Sequence, residues 1–543
     1  MTDLLLVNAN VLTMDPARPH ATAVAVTGDR ISDLPDSGAA TAAQVIDLRG
    51  ATLLPGFHDA HNHMAWFGQS LAEADLHVAT LDELYAAVAR QAEGTAPGDW
   101  VIGSGYDQNK TGAHPDRDAL DRIAPGRRVW LRHTSGHMCV VNSLVLADLG
   151  LDNEAISIDG GRVVTDFNAR PTGLLEERAQ ELVGRLVFPT PVAALADAIE
   201  RAAAVYVREG ITSVTEAGIG GGWIGRSPVE LAAYQTAREQ GRLPVRVELM
   251  VASDVLHPLS AHASDDLELG LDLGLRTGFG DDWLRLGAVK IFSDGSLVGH
   301  TAALHEDFAD NPGNAGYLQA DAGKLADTIV AAHRSGWQVA THAIGDRAID
   351  LVLDSYAEAL DRYPRADPRH RIEHFSVSRP DQVERAAKLG VIAVPQGRFA
   401  TEIGDGMLAA LGPDRHSWLY RHRSLIEAGM TLPGSSDRPV VLGTPLLGIH
   451  DMVNRRTGSG APYNPAEAVT AQQALRAYTY GSAYASHQEH VKGSITPGKL
   501  ADLVVLSEDP TAIAPDRIAA VDVLATFAGG RCVFHDSSLV GLD

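Results

Sequence analysis

"KLADTIVAAHRSGWQVATHAIGDRAIDLVLDSYAEALDRY", Lys324–Tyr363, holds the repeating unit of the fold. Its first part has the apolar spacing of a helix and stops at Gly336. "WQVATHAIG" reads as a buried strand, and the remainder as a second helix with Asp346 as N-cap. The same rhythm recurs along the chain. "ALADAIERAAAVYVREG" closes on Gly210 before "ITSVTEAG", "SRPDQVERAAKLG" leads into "VIAVPQ", and "RSLIEAG" leads into "MTLPGSSDRPVV". "VRVELMVAS", "LRLGAVKIFSDG" and "RHRIEHFS" add strands, and with "ATLLPGFHDAH" the candidates number eight. Near-continuous apolar strands alternating with helices imply a parallel sheet covered by helices, and eight of them suit a (β/α)8 barrel. A doubly wound open sheet has the same periodicity and stays open as an alternative.

Both ends read differently. Residues 1–54 and 488–543 are short strands joined by turns ("ATAVAVTGDRISDL", "GSITPGKLADLVVL"), expected to come together as one small β domain around a barrel at 55–487. Between the first and second barrel strands lies a segment too long to be a structureless loop. About 70–190 is therefore expected to be an inserted subdomain, with its own patterns such as "LDELYAAVARQAEG" and "RVWLRHTSGHMCVVNS".

Composition narrows the function. The 543 residues are 45% hydrophobic and 21% charged, as in a soluble globular protein. A formal charge of -24 argues against nucleic acid or an anionic membrane as partner. Cys139 and Cys532 are the only cysteines, so neither a disulfide framework nor a cysteine zinc cluster is expected. "LLLV", Leu4–Val7, is too short for a signal or membrane segment. The expectation is a cytoplasmic enzyme of small molecules, with a homodimer as the default assembly.

The chemistry begins in "LLPGFHDAHNHM", Leu53–Met64. His61 and His63 stand two apart, so on a strand both imidazoles face one side; His58 does not share that pairing. Lys290, His342, His374 and Asp437 lie at or just past the ends of strands 4, 5, 6 and 8. Singly each has an ordinary explanation: a core histidine, a strand-end charge, a helix N-cap. Together, in barrel order, they converge on the C-terminal face, where barrel enzymes place their sites.

These local sequences resemble the metal-dependent amidohydrolase superfamily. "PGFHDAHNH", "VKIFSDGS", "THAIGDRAID", "RIEHF", "GSSDRPV" and "GSITPGKLADLVVL" look like its YtcJ-like (amidohydrolase 3) branch, which includes N-substituted formamide deformylase. The resemblance implies a distorted TIM barrel with a small β-sandwich built from both termini. It also implies that His61, His63 and Asp437 hold one metal and His342 and His374 a second, bridged by Lys290 as a carbamate. Two segments depart from the branch pattern: "VIAVPQGRFA" at strand 7, and Glu216 in "VTEAG" where Asp is commoner.

Histidines and a carboxylate suit one or two divalent ions, Zn2+ or a similar first-row metal, and the absence of cysteine ligands fits a catalytic site. Such an ion lowers the pKa of its water from about 15.7 to about 7. Asp437 would carry the proton to the leaving nitrogen. The activity expected is hydrolysis of a non-peptide C–N bond in an amide, N-formyl or cyclic amide. A deaminase of an amidine or aminated heterocycle uses the same chemistry, ester or phosphoester hydrolysis is a weaker alternative, and a metal-free binding or regulatory relative belongs to a different class. His137, in "TSGHMCVVNS", is a candidate oxyanion or supporting partner. Tyr106, Asp107 and Gln108 are candidate pocket residues, and Arg438 a candidate for a substrate carboxylate.

Overall fold

A computed structural model of the chain describes residues 2–35, 42–151, 158–222, 224–262, 264–537 and 539. Its centre is a seven-stranded parallel sheet: β1 (Phe57–Asn62), β2 (Ile211–Ile219), β3 (Arg246–Ala252), β4 (Leu284–Phe292), β5 (Val339–Ala343), β6 (Arg371–His374) and β7 (Ile392–Val394). The strands are neighbours in chain order, each paired in parallel with the next. That order is a barrel wall rather than a doubly wound sheet, whose order reverses at a switch point. Every residue of β1, β2 and β3 is buried, as strands covered on both faces must be.

The eighth candidate strand does not join the ladder. Residues 430–437 run beside β1 as irregular backbone. Ala60 donates its N–H to the Gly434 carbonyl (2.9 Å), Asp437 to that of His61 (2.8 Å), and His63 to that of Arg438 (2.8 Å). Towards β7 the contact passes through side chains instead. The Ser435 hydroxyl donates to the Pro395 carbonyl (3.0 Å) and accepts from Gln396 Nε2 (3.2 Å). Pro395 and Pro433 have no N–H to give, so a regular ladder is denied at the last seam.

Helices Val192–Arg208, Glu230–Glu239, Ala322–Arg334, Asp346–Arg362 and Pro380–Lys388 pack outside the wall. The first ends as its sequence predicts, with Gly210 at φ +78°, a conformation glycine adopts without strain. Asp346 is instead the first residue of its helix, with Gly345 as N-cap, and its carboxylate accepts the His305 N–H at 3.0 Å.

Between β1 and β2 the chain builds a separate six-stranded sheet, with strands in the order Gly161–Thr165, Pro171–Glu177, Met138–Val141, Arg128–His133, Trp100–Tyr106 and Ala74–Asp75. The two ends of the chain form two further sheets. In one, Thr2–Val7 lies between Val24–Thr27 and Ala42–Asp47; in the other, Thr52–Pro55 pairs with Leu503–Leu506 from the far end of the chain. Leu4, Val26 and Ile46 from the first sheet share one apolar cluster with Leu53, Val505 and Phe527 from the second. Among the described residues no single helix is long and apolar enough to cross a membrane.

Arg246 ties the barrel to the terminal sheets. At the start of β3 it makes two hydrogen bonds to Asp502 (2.7 and 3.0 Å) with both partners buried, and its guanidinium lies 4.1 Å from the Trp283 ring centroid. Removing one member of a buried ion pair strands the other charge, a loss of about 3–5 kcal/mol. Arg246→Met is expected to lower unfolding free energy by about that amount in urea titration, with Asp502→Asn costing less because the amide still accepts a hydrogen bond.

Candidate active site

The predicted ligands meet where β1 joins the irregular eighth segment. His61 Nε2 and His63 Nε2 lie 3.3 and 3.1 Å from the same oxygen, Asp437 Oδ1. His374 Nδ1 is 4.0 Å from the other oxygen, Asp437 Oδ2. His374 and His342 rings are 4.5 Å apart, and Lys290 Nζ is 3.4 Å from His61 Nε2. All six side chains are buried. His58 is turned away, on the Thr215 hydroxyl at 3.2 Å.

Each imidazole has a carboxylate, amide or carbonyl oxygen beside one of its ring nitrogens. His61 Nδ1 bonds Glu373 Oε2, and Glu373 is held by Arg371 through contacts of 2.7 and 3.0 Å. His63 Nδ1 faces Glu216 Oε1 at 3.8 Å, while Glu216 Oε2 accepts from the Tyr234 hydroxyl and the Ala65 N–H. His374 Nδ1 is 2.9 Å from Gln396 Oε1, and His342 Nε2 is 3.1 Å from the Gly295 carbonyl. Carboxylate or carbonyl partners of this kind fix the tautomer and aim of metal-ligating histidines. Glu216 and Gln396 lie in the two segments that depart from the branch pattern, and both orient a histidine.

Backbone conformation aims two of the six. His374 (φ +72°) and Asp437 (φ +61°) occupy the left-handed region, which costs a non-glycine residue about 1–3 kcal/mol and persists where the surroundings enforce it. The turn at His374 breaks strand alternation, so Glu373 and His374 both reach the site from adjacent positions.

Burial and the Asp437 carboxylate set the charge states of the cluster. Burial raises the Asp437 carboxyl, but His61, His63 and His374 outweigh it and hold it well below the carboxylate range. Burial lowers His63, yet the carboxylates of Asp437 and Glu216 raise it overall. His374 is lowered to about 3 and Lys290 to about 8, in both cases mainly by burial. Neutral imidazole at His374 and carboxylate at Asp437 are the protonation states that a divalent metal requires. His61, His63 and Asp437 each offer one ligand atom within 4.8 Å of the others, the one such group among the described residues. Two imidazoles and a carboxylate are a fitting donor set for a catalytic first-row ion.

The inserted sheet brings His137 to the same place. Its ring is 5.0 Å from that of His342, and its Nδ1 is 2.7 Å from Glu177 Oε2. The other candidate pocket residues are engaged elsewhere. Tyr106 is buried in the apolar cluster of the insert, its hydroxyl 3.2 Å from His114 Nδ1. Asp107 caps the helix Gln108–Thr111, and Gln108 bonds His133 and the Val298 carbonyl. Arg438 corrects the expectation most clearly. Its guanidinium pairs with Glu209 at 2.7 and 2.9 Å and lies on the Phe67 ring at 4.5 Å, so its charge is spent inside the protein. Glu373 and Asp294 were not singled out by sequence. Asp294 accepts the N–H groups of Ala303, Ile344 and Gly345 and sits 3.4 Å from His342 Nε2, so it fixes the loop after β5; the signal for both is a charged residue inside an apolar strand or directly after one.

A parallel barrel with buried histidines and a carboxylate at its C-terminal mouth defines a metal-dependent hydrolase of the TIM-barrel type. The model of the amidohydrolase family matches residues 44–534, and the chain belongs to that family. It is 32% identical to the putative amidohydrolase YtcJ of Bacillus subtilis over 499 residues, covering 91% of this chain and 90% of that protein. It is also 32% identical to N-substituted formamide deformylase of Arthrobacter pascens, covering 98% of each. The crystal structure of an uncharacterized metal-dependent hydrolase from Pyrococcus horikoshii superposes with a TM-score of 0.73 at 27% identity, covering 94% of this chain and 99% of that one.

Glu373 gives a direct test of the site's architecture. Glu373→Gln keeps the shape but removes the charge that orients His61. Zinc affinity, measured by competition with a chelator, is expected to fall about 10- to 100-fold; unchanged affinity would separate His61 orientation from metal binding.

Proposed function

We propose that this protein hydrolyses a non-peptide C–N bond of a small molecule, an amide, N-formyl compound or cyclic amide, at the mouth of the barrel. The observation that carries the reading is the buried convergence of His61 Nε2 and His63 Nε2 on Asp437 Oδ1. The likeness to a formamide deformylase over nearly the whole chain supports the bond type. The terminal sheets, taken as a β-sandwich of residues 1–54 and 488–543, serve as scaffold in this reading.

His61, His63 and Asp437 would hold one divalent ion, Zn2+ or a close relative. His342 and His374 would hold a second, with Lys290 between them as a carbamate. An ion there makes hydroxide accessible at neutral pH and polarises the substrate carbonyl. The chain's own groups supply the rest. Asp437 is ionised and sits beside both histidines, so it can accept a proton and return it to the departing nitrogen. His137, oriented by Glu177, lies 5.0 Å from the His342 ring and can donate to the developing oxyanion. Burial excludes bulk water, which strengthens each of these contacts.

A deaminase would use the same residues; the deformylase relative favours amide cleavage. The test is metal analysis of the purified protein together with turnover of a panel of formamides, cyclic amides and aminated heterocycles. Formate or carboxylate release from the panel supports the proposal. Ammonia released from heterocycles, with no amide cleaved, assigns a deaminase. His61→Ala and His374→Ala are expected to lose metal and turnover while retaining the wild-type circular dichroism spectrum, and full activity in either would remove it from the ligand set. Asp437→Asn is expected to lower kcat about 10²- to 10⁴-fold. An effect confined to KM would contradict a proton-transfer role. Lys290→Ala is expected to bring metal content to one ion per chain or below.

A further inference from the structure

Beside the site lies a cavity of about 360 Å3, walled by Trp66, Trp130 and Phe188 and by the loop that follows β2. None of the proposed ligands lines it, but its walls pack against them. The Trp66 ring is 5.7 Å from that of His63, and Gly136 in the wall precedes His137. Gly218 separates the wall residue Ile224 from Lys290: a Cβ on it would lie 2.9 Å from the first side chain and 3.6 Å from the second.

Two arginines that line this cavity have no carboxylate within 4.0 Å among the described residues, the exposed Arg185 and the buried Arg226. Arg226 is 4% exposed, and its guanidinium lies 5.4 Å from the centroids of both Trp66 and Phe188. Among the described residues no carboxylate lies within 4.0 Å of it, and its Nε has no hydrogen-bond partner. Its buried neighbour Arg132, 5.8 Å from the Trp66 ring centroid, pairs with Glu73 and Ser104. The acids in the wall, Glu181 and Asp254, are 2.9 and 3.6 Å from Arg178. Glu230 accepts the N–H groups of Gly220 and Arg226 at 3.1 and 2.8 Å, which pins the loop without touching the guanidinium. Burial lowers the Arg226 pKa to about 10, with Arg132 adding to the shift and the more distant carboxylates of Glu230, Glu73 and Glu216 opposing it, so it stays charged at neutral pH.

A buried guanidinium without an acceptor is costly unless a ligand supplies one. Its planar fork matches the two oxygens of a carboxylate, and the indole and phenyl walls match an apolar body. We infer that Arg226 is a specificity-determining residue that binds a carboxylate on the substrate, so that the preferred substrates are monoanionic amides with an aromatic or apolar group. This rests on the proposed amide hydrolysis for the word amide, but the anion site itself does not.

The test separates the two. Benzoate and benzamide, alike in shape and different in charge, are titrated into the metal-loaded protein with tryptophan fluorescence and calorimetry as readouts. Wild type is expected to bind benzoate at least 10-fold more tightly than benzamide. Arg226→Met, which keeps the packing between Trp66 and Phe188, is expected to lose that preference while binding benzamide unchanged. Arg226→Lys is expected to retain part of it. Any affinity of benzoate for the metal is common to all three proteins, so the difference between them reads Arg226. Equal benzoate affinity in wild type and Arg226→Met, or no preference over benzamide in wild type, overturns the inference. These outcomes hold whether or not any amide is turned over. On the amide panel, 4-(formamidomethyl)benzoate against its carboxamide then reads substrate choice: a kcat/KM preference for the acid that Arg226→Met removes supports it, and equal kcat/KM in wild type overturns it.

Discussion

The seam between β1 and residues 430–437 is the interaction on which the rest of the site depends. The Asp437 N–H bonds the His61 carbonyl, and the His63 N–H bonds the Arg438 carbonyl. Those backbone contacts complete the barrel wall and set the register that brings Asp437 Oδ1 to His61 and His63. Shifting paired backbones by one residue turns every side chain to the other face. A slip here would therefore open the wall and disperse the three groups together. Closing the fold and building the site are a single structural event.

The buried charges around this seam are held in pairs that also aim the histidines. Glu373 lies between Arg371 and His61, and Arg371 reaches on to the Ala60 carbonyl. Asp59 accepts from the Ser436 N–H and from Asn62, so one carboxylate joins β1 to the closing segment. Charges buried this deeply contribute little net stability compared with apolar packing; what they fix is geometry. That matches a site in which imidazole nitrogens must meet one oxygen to within a few tenths of an ångström.

Much of this is legible in the sequence because barrel strands are apolar and polar residues at their ends stand out. His61, His63, Lys290, His342, His374 and Asp437 were named from position alone, and the structure gathers them. What escaped notice did so for local reasons. Glu373 neighbours His374, and regular alternation would send them to opposite faces; the left-handed backbone at His374 overrides that pattern. The eighth strand is visible as an apolar run, but a proline on each side of the seam and the side-chain bridges determine how it pairs, and periodicity does not report hydrogen bonds. Arg438 was read from its adjacency to Asp437. Asp437 itself is left-handed, and the next side chain leaves for Glu209.

Arg371, Arg438 and Arg226 are buried near the site, and their partners distinguish them. Arg371 has Glu373 and Arg438 has Glu209, so each adds orientation without net charge. Arg226 has aromatic faces and no carboxylate. Rings stabilise a guanidinium by about 0.5–2 kcal/mol, which does not offset removing it from water. An arginine retained on those terms beside a cavity is matched to an acceptor that arrives with the ligand. In the proposal made above, the carboxylate-binding role read for Arg438 passes to Arg226, on the glycine-rich loop after β2 that walls the cavity.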